Sequence, residues 1–209
     1  MHFRYLLWDF DGTLFDTYPP LAESIERALA DFDATEPRAA INALLSQTLD
    51  LTLTTLVDKF ALDHDAFKQR LYHYWEQVPL DAYTPFPGVI AFCERFIAAN
   101  GQHYIYTHRG RATMMPMLEQ HNVTHLFAGS MTRDNGYPRK PDPTGFNALI
   151  DHYNLPRAEL LTIGDRDLDI QAGQAAGIKA CLFNAQPGPG VEPDYVIASF
   201  AELDAIVEL

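Results

Sequence analysis

The chain has only two cysteines, Cys93 and Cys181, in 209 residues, and both fall in apolar segments. That argues against a disulfide-stapled secreted domain and for buried free thiols in a reducing cytosol. It is also short of positive charge, with 15 Lys and Arg against 28 Asp and Glu and a formal net charge of −13. Nucleic acid and anionic membrane surfaces are therefore not expected as partners. No apolar run approaches the ~18 residues of a membrane span. The N-terminus enters a strand-like run at once, without a signal-peptide pattern, so a cytoplasmic location is expected. His103, His121 and His125 are scattered with no metal-ligand spacing and read as structural or exposed. Met114, Met115 and Met117 read as helix packing rather than a cofactor box. There is no internal repeat and no low-complexity tract. What is present is a 47% hydrophobic content, enough for a substantial core in one domain, or one domain plus an insert.

Strand patterns fall at 3–9, 103–107, 125–130, 160–164 and 179–183, with a shorter one at 195–197. Helical patterns lie between the later ones. Val89, Phe92, Cys93, Phe96 and Ile97 mark one helix face, and Gly101 suits its C-terminal cap. This alternation predicts an α/β fold with a Rossmann-like parallel sheet. Sites in such sheets form beyond the carboxyl ends of the strands. Between residues 9 and 103 the chain is far longer than a simple crossover requires. Residues 19–80 carry helical patterns, including the stripe Leu21, Ile25, Ala28, Leu29 and Phe32. Further helices are expected over 38–49, 52–60 and 64–77. An inserted all-helical domain over 17–83 is expected, flanked by Pro-containing hinges. The sheet domain then comprises 1–16 and 84–209.

The densest chemistry lies in Asp9-Phe10-Asp11-Gly12-Thr13-Leu14-Phe15-Asp16, just past the apolar run Tyr5-Leu6-Leu7-Trp8. Alternation turns Phe10 away and projects Asp9 and Asp11 towards the same space. Gly12 permits a sharp turn. Two close carboxylates need a cation, a shared proton, or both. One can act as a nucleophile and the other as an acid; metal binding alone and a turn cap are the blander readings. Thr107 ends the apolar run Tyr104-Ile105-Tyr106. Lys140 lies in Arg139-Lys140-Pro141-Asp142-Pro143, before a helix pattern with Phe146, Leu149 and Ile150. Gly164-Asp165-Arg166-Asp167-Leu168-Asp169 follows the run Leu160-Leu161-Thr162-Ile163.

These four segments, in this order, resemble the four motifs of the haloacid dehalogenase superfamily in its Asp-x-Asp-Gly-Thr phosphotransferase form. They span residues 3 to about 185. The helical insert just after the first motif resembles the cap of the phosphoglycolate phosphatase and β-phosphoglucomutase branch. The resemblance implies a Mg²⁺-dependent phosphatase acting on a small phosphorylated metabolite, with Asp9 as the nucleophile and Asp11 as general acid, then base. Thr107 and Lys140 would hold the phosphate. Asp9, the main-chain carbonyl of Asp11, and Asp165 would hold the metal, with Asp169 acting through water or as a supporting partner. Asp167 reads as a helix N-terminal charge. His108 and Arg109 stand where many relatives have Asn after the Thr. His108 would shape the pocket, contact substrate or offer only its backbone N–H, and Arg109 would reach an anionic substrate group or lie in a solvent-facing loop. A phosphomutase of the same branch is the alternative, and a non-catalytic phospho-ligand module a more distant one. Tyr18, Arg38, Lys59, Arg70, Tyr72, Tyr74 and Trp75 are candidate cap contacts, each also readable as packing or surface. A monomer or homodimer is expected.

Overall fold

The computed structural model describes residues 2–209. The chain forms two compact units, one built from the segment ending at Phe15 together with Pro85–Leu209, the other from Asp16–Thr84. The strands are β1 (Tyr5–Trp8), the two-residue β2 (Phe15–Asp16) and β3 (Thr84–Pro85), β4 (Gln102–Tyr106), β5 (Phe127–Met131), β6 (Leu160–Gly164), β7 (Lys179–Phe183) and β8 (Tyr195–Ile197). Strands β2 and β3 mark the points where the chain passes between the units.

Six strands of the first unit form one sheet in the order β5-β4-β1-β6-β7-β8. All its pairings are parallel, as the strand–helix alternation predicts. β1 is central, with Trp8 in register with Ile105 on one side and Ile163 on the other. The strand order reverses around β1, so the carboxyl ends of β1, β4 and β6 lie side by side at the switch point where sites form in such sheets.

The second unit holds α1 (Tyr18–Ala30), α2 (Arg38–Leu45), α3 (Leu49–Phe60) and α4 (His64–Trp75). Its core joins Ile25 and Leu29 to Ile41, Leu56, Phe67 and Leu71. Thr48 caps α3 by accepting from the Leu51 N–H, and Asp63 caps α4 by accepting from Ala66. The polar candidates of this unit are engaged within it. Arg38 pairs with Glu26, Lys59 with Glu36 and Arg70 with Asp31, while the Tyr74 hydroxyl donates to Asp31.

The first unit adds α5 (Val89–Ala98), α6 (Arg111–Gln120), α7 (Thr144–Tyr153), α8 (Asp167–Ala175) and α9 (Leu203–Val207). On one face of the sheet, Phe92 and Phe96 of α5 and Phe200 pack around Trp8 and His103. On the other, Leu7, Tyr104 and Tyr106 meet Phe146, Leu149 and Ile150 of α7 and Ala172 of α8. Adjacent residues Leu7 and Trp8 thus serve opposite faces, as strand geometry requires. Gly101 takes part in the cap of α5 as expected, with Asn100 before it in the left-handed conformation at φ 67°. Gly101 donates its N–H to Phe96 O at 2.8 Å, closing a Schellman-type cap. Cys93 and Cys181 are both free and buried. Among the described residues no helix is long and apolar enough to cross a membrane.

Candidate active site

The site begins where β1 ends. Asp9 N–H still bonds to Ile163 O at 2.9 Å, so the first carboxylate is anchored to the sheet. The chain then turns. Gly12 has φ 79°, a conformation that disfavours side chains. The Leu14 and Phe15 N–H groups return to Phe10 O at 3.1 and 3.0 Å. Phe10 faces away, fully buried and stacked on Phe15 at 4.8 Å.

Lys140 is the hub of the buried charge. Its Nζ donates to Asp9 Oδ1 at 2.8 Å, Asp169 Oδ1 at 2.7 Å and the Tyr106 carbonyl at 2.9 Å. All three ammonium protons are therefore used. Burial opposes the charge on Lys140, but Asp169 and Asp9 outweigh it and raise its pKa. Burial likewise opposes charge on Asp169, but Lys140 and Arg166 prevail and hold it below the usual carboxylate range. Burial lifts Asp9 to about 6, against the opposing pull of Lys140. Asp9 Oδ2 is buried without a hydrogen-bond partner, the Arg166 guanidinium lying 3.8 Å away. One oxygen of Asp9 is thus held and the other has no hydrogen bond.

The fourth motif completes this cluster. Asp165 follows β6 and accepts from the Thr13 hydroxyl at 3.2 Å. Asp169 lies in the first turn of α8, where its Oδ2 accepts from Arg166 N–H at 3.2 Å. Gly164 is needed here because a Cβ would stand 2.4 Å from Asp169 Cβ. Asp167, in the same turn, also accepts from Gly188 N–H and so ties down the 187–190 loop. Carboxylate oxygens of Asp9, Asp165 and Asp169 lie within 4.8 Å of one another. This hard oxygen set suits a small divalent cation such as Mg²⁺. The Asp11 side chain is not part of the cluster.

Asp11 meets a different cation. Arg109 Nε lies 2.9 and 3.1 Å from its two oxygens, and a terminal guanidinium nitrogen lies 2.5 Å from Oδ1. Thr107 follows β4, and its hydroxyl oxygen accepts from Arg109 N–H at 3.1 Å. His108 Nε2 accepts from the Lys140 backbone N–H at 3.0 Å. Burial, then the Lys140, Arg139 and Arg166 cations, push His108 down to about 3. The imidazole is neutral and acts as an acceptor that pins the Lys140 loop.

All eight candidates, Asp9, Asp11, Thr107, His108, Arg109, Lys140, Asp165 and Asp169, therefore lie in the first unit at or just beyond the carboxyl edge of its sheet. Sequence reasoning missed Thr13 as a partner of Asp165 and Arg166 as a cation facing Asp9 and Asp169. The signal for each was only its place inside a carboxylate-bearing motif.

The haloacid dehalogenase-like hydrolase family model matches residues 6–183. A phosphoglycolate phosphatase of Aliivibrio fischeri is 28% identical over 99% of this chain and 97% of its own length. One from Thiobacillus denitrificans is 30% identical over 95% of this chain and 93% of its own. A crystal structure described as a predicted phosphoglycolate phosphatase from Haemophilus somnus has the same fold. Its TM-score is 0.85 at 23% identity, covering 99% of this chain and 98% of that one. The family match runs from β1 through β7 and takes in every residue of the site, and the chain belongs to the haloacid dehalogenase-like hydrolases.

Proposed function

We propose that this hydrolase is a phosphatase that cleaves a small phosphate monoester of the phosphoglycolate type through an aspartyl-phosphate. The observation that carries this reading is the asymmetry of Asp9: Oδ1 is fixed by Lys140, and the buried Oδ2 has no hydrogen-bond partner. A carboxylate is a weak nucleophile, so a fixed, partly desolvated oxygen is what attack on phosphorus requires. Relatives named phosphoglycolate phosphatase, aligned along nearly the whole chain, support the substrate class.

In the first half-reaction an Asp9 oxygen bonds to phosphorus as the ester P–O bond breaks, and Asp11 delivers a proton to the leaving oxygen. In the second, Asp11 takes a proton from water as that water bonds to phosphorus and Asp9 is released. The positive charge of Lys140 and the Thr107 hydroxyl steady the phosphate oxygens. Asp9, Asp165 and the Asp11 carbonyl would hold Mg²⁺, with Asp169 behind them; the ion supplies neutralisation of phosphate charge. The helical unit takes the role of cap in this reading.

Phosphate release from a panel of small esters, with Mg²⁺ and with EDTA, tests it. Release should require Mg²⁺ and vanish in Asp9→Asn. Full turnover by that variant would remove Asp9 as the nucleophile.

A further inference from the structure

The cation on Asp11 raises a chemical problem. Arg109 donates to both Asp11 oxygens, and the two side chains are only 10% and 24% exposed. A carboxyl group forked in this way is turned to the guanidinium rather than to a leaving group. Arg109 must therefore leave Asp11 before the ester bond is cut. A guanidinium this buried cannot give up its partner cheaply, because an unpaired buried charge is strongly disfavoured. It leaves readily only if another anion accepts its donors in exchange.

The neighbourhood restricts where that anion can be. Arg109 lies two residues beyond Thr107 and is tied to it through its own N–H. A phosphoryl group held at Thr107 and Lys140 would have its leaving oxygen next to Asp11, and so within the neighbourhood of Arg109. With the phosphoryl group engaged by Thr107 and Lys140 in that reading, the exchange partner is an anion on the leaving group, close to the ester oxygen.

We infer that Arg109 is a specificity switch. It clamps Asp11 in the free enzyme and is drawn off by a carboxylate on the substrate's leaving group, which releases Asp11 to serve that substrate. The class selected is a phosphate ester bearing a carboxylate on the carbon next to the ester-bearing position, or on that carbon itself. This rests on the hydrolase reading above. It adds that the carboxylate is recognised through the rate of the chemical step as well as through binding, because a neutral ester leaves the clamp in place.

The test compares phosphoglycolate with 2-hydroxyethyl phosphate, which replaces the carboxylate by a neutral hydroxymethyl group. Wild type should favour phosphoglycolate by at least about 100-fold in kcat/KM, with a clear part of the difference in kcat. In Arg109→Gln the preference should collapse to a few-fold, chiefly because the unclamped Asp11 turns over 2-hydroxyethyl phosphate faster, while phosphoglycolate loses affinity (higher KM) more than kcat. Arg109→Lys should restore only part of it, since an ammonium cannot fork. Equal kcat on both esters by wild type would overturn the switch and leave the phosphatase reading intact, and this comparison needs no variant. Equal slowing of both esters in Arg109→Gln would reduce Arg109 to a structural role. If wild type with Mg²⁺ hydrolyses neither of these esters nor any other in the panel, the phosphatase reading falls and the switch with it.

Discussion

Lys140 and Asp9, 131 positions apart in sequence, form an ion pair 2.8 Å long whose side chains are each only 1% exposed. The same ammonium reaches Asp169 at 2.7 Å. One cation therefore balances two carboxylates in a medium that solvates neither.

Lys140→Met should be costly on two counts. It strands two buried carboxylates, so a loss of about 3–5 kcal/mol is expected in urea unfolding. In the proposed reaction it also removes a positive charge from beside the phosphate, so turnover should fall by more than about 100-fold. A variant that unfolds like wild type would show that the pair contributes little to the fold.

His103 makes stability depend on pH. Its Nδ1 accepts from the Trp8 indole N–H at 2.9 Å, and its Nε2 faces Cys93 O at 3.1 Å. Nε2 therefore carries the single proton, and a second proton on Nδ1 would confront the indole donor. Burial pushes the pKa down to about 4, against an ordinary 6.5. Between those values the unfolded chain binds more protons, so stability rises with pH across the window. The contribution is complete above 6.5 and lost as pH falls to about 4, on the order of 3 kcal/mol in all. His103→Gln keeps an acceptor and a donor but does not titrate. Its unfolding free energy should be flatter from pH 6.5 to 4, and an unchanged slope would assign the dependence elsewhere.

His108 should act through the Lys140 loop rather than through charge. His108→Leu leaves the Lys140 N–H unsatisfied, at a cost of about 1–3 kcal/mol. It should lower kcat more than it raises KM. His108→Gln can restore the acceptor and most of the rate. If Leu and Gln behave alike, the 3.0 Å bond to Lys140 has no bearing on catalysis.

Metal binding can be read without turnover. Mg²⁺ at about 100 times its Kd should add about 2.7 kcal/mol, or roughly 5–10 °C in Tm for a chain of this size. Asp165→Asn should abolish that shift, since Asp165 belongs to the carboxylate cluster with Asp9 and Asp169. A full shift in the variant would place the ion elsewhere.

Much of this was legible in the residues. Period-two and period-3.6 patterns predicted the parallel sheet, and the strand ends located Asp9, Thr107 and Asp165. Those signals are local, and local geometry follows from neighbouring residues. Asn100 shows the limit at short range. Gly101 suited the cap of α5 and does close it, but the positive φ falls one residue earlier, at Asn100. Both residues tolerate it, so propensity alone does not choose between them.

The sequence by itself determined the family motifs, the α/β order and the set of charged groups available to the site. Only the tertiary structure decided which cation meets which carboxylate: Lys140 with Asp9 and Asp169, and Arg109 with Asp11. The reason is physical. Charge pairing in a buried site falls steeply with distance and desolvation, and separations between residues about a hundred positions apart depend on strand register and loop course. Asp9 and Asp11 are close to equivalent in the sequence. What sets them apart in the structure is the cation that folding brings to each.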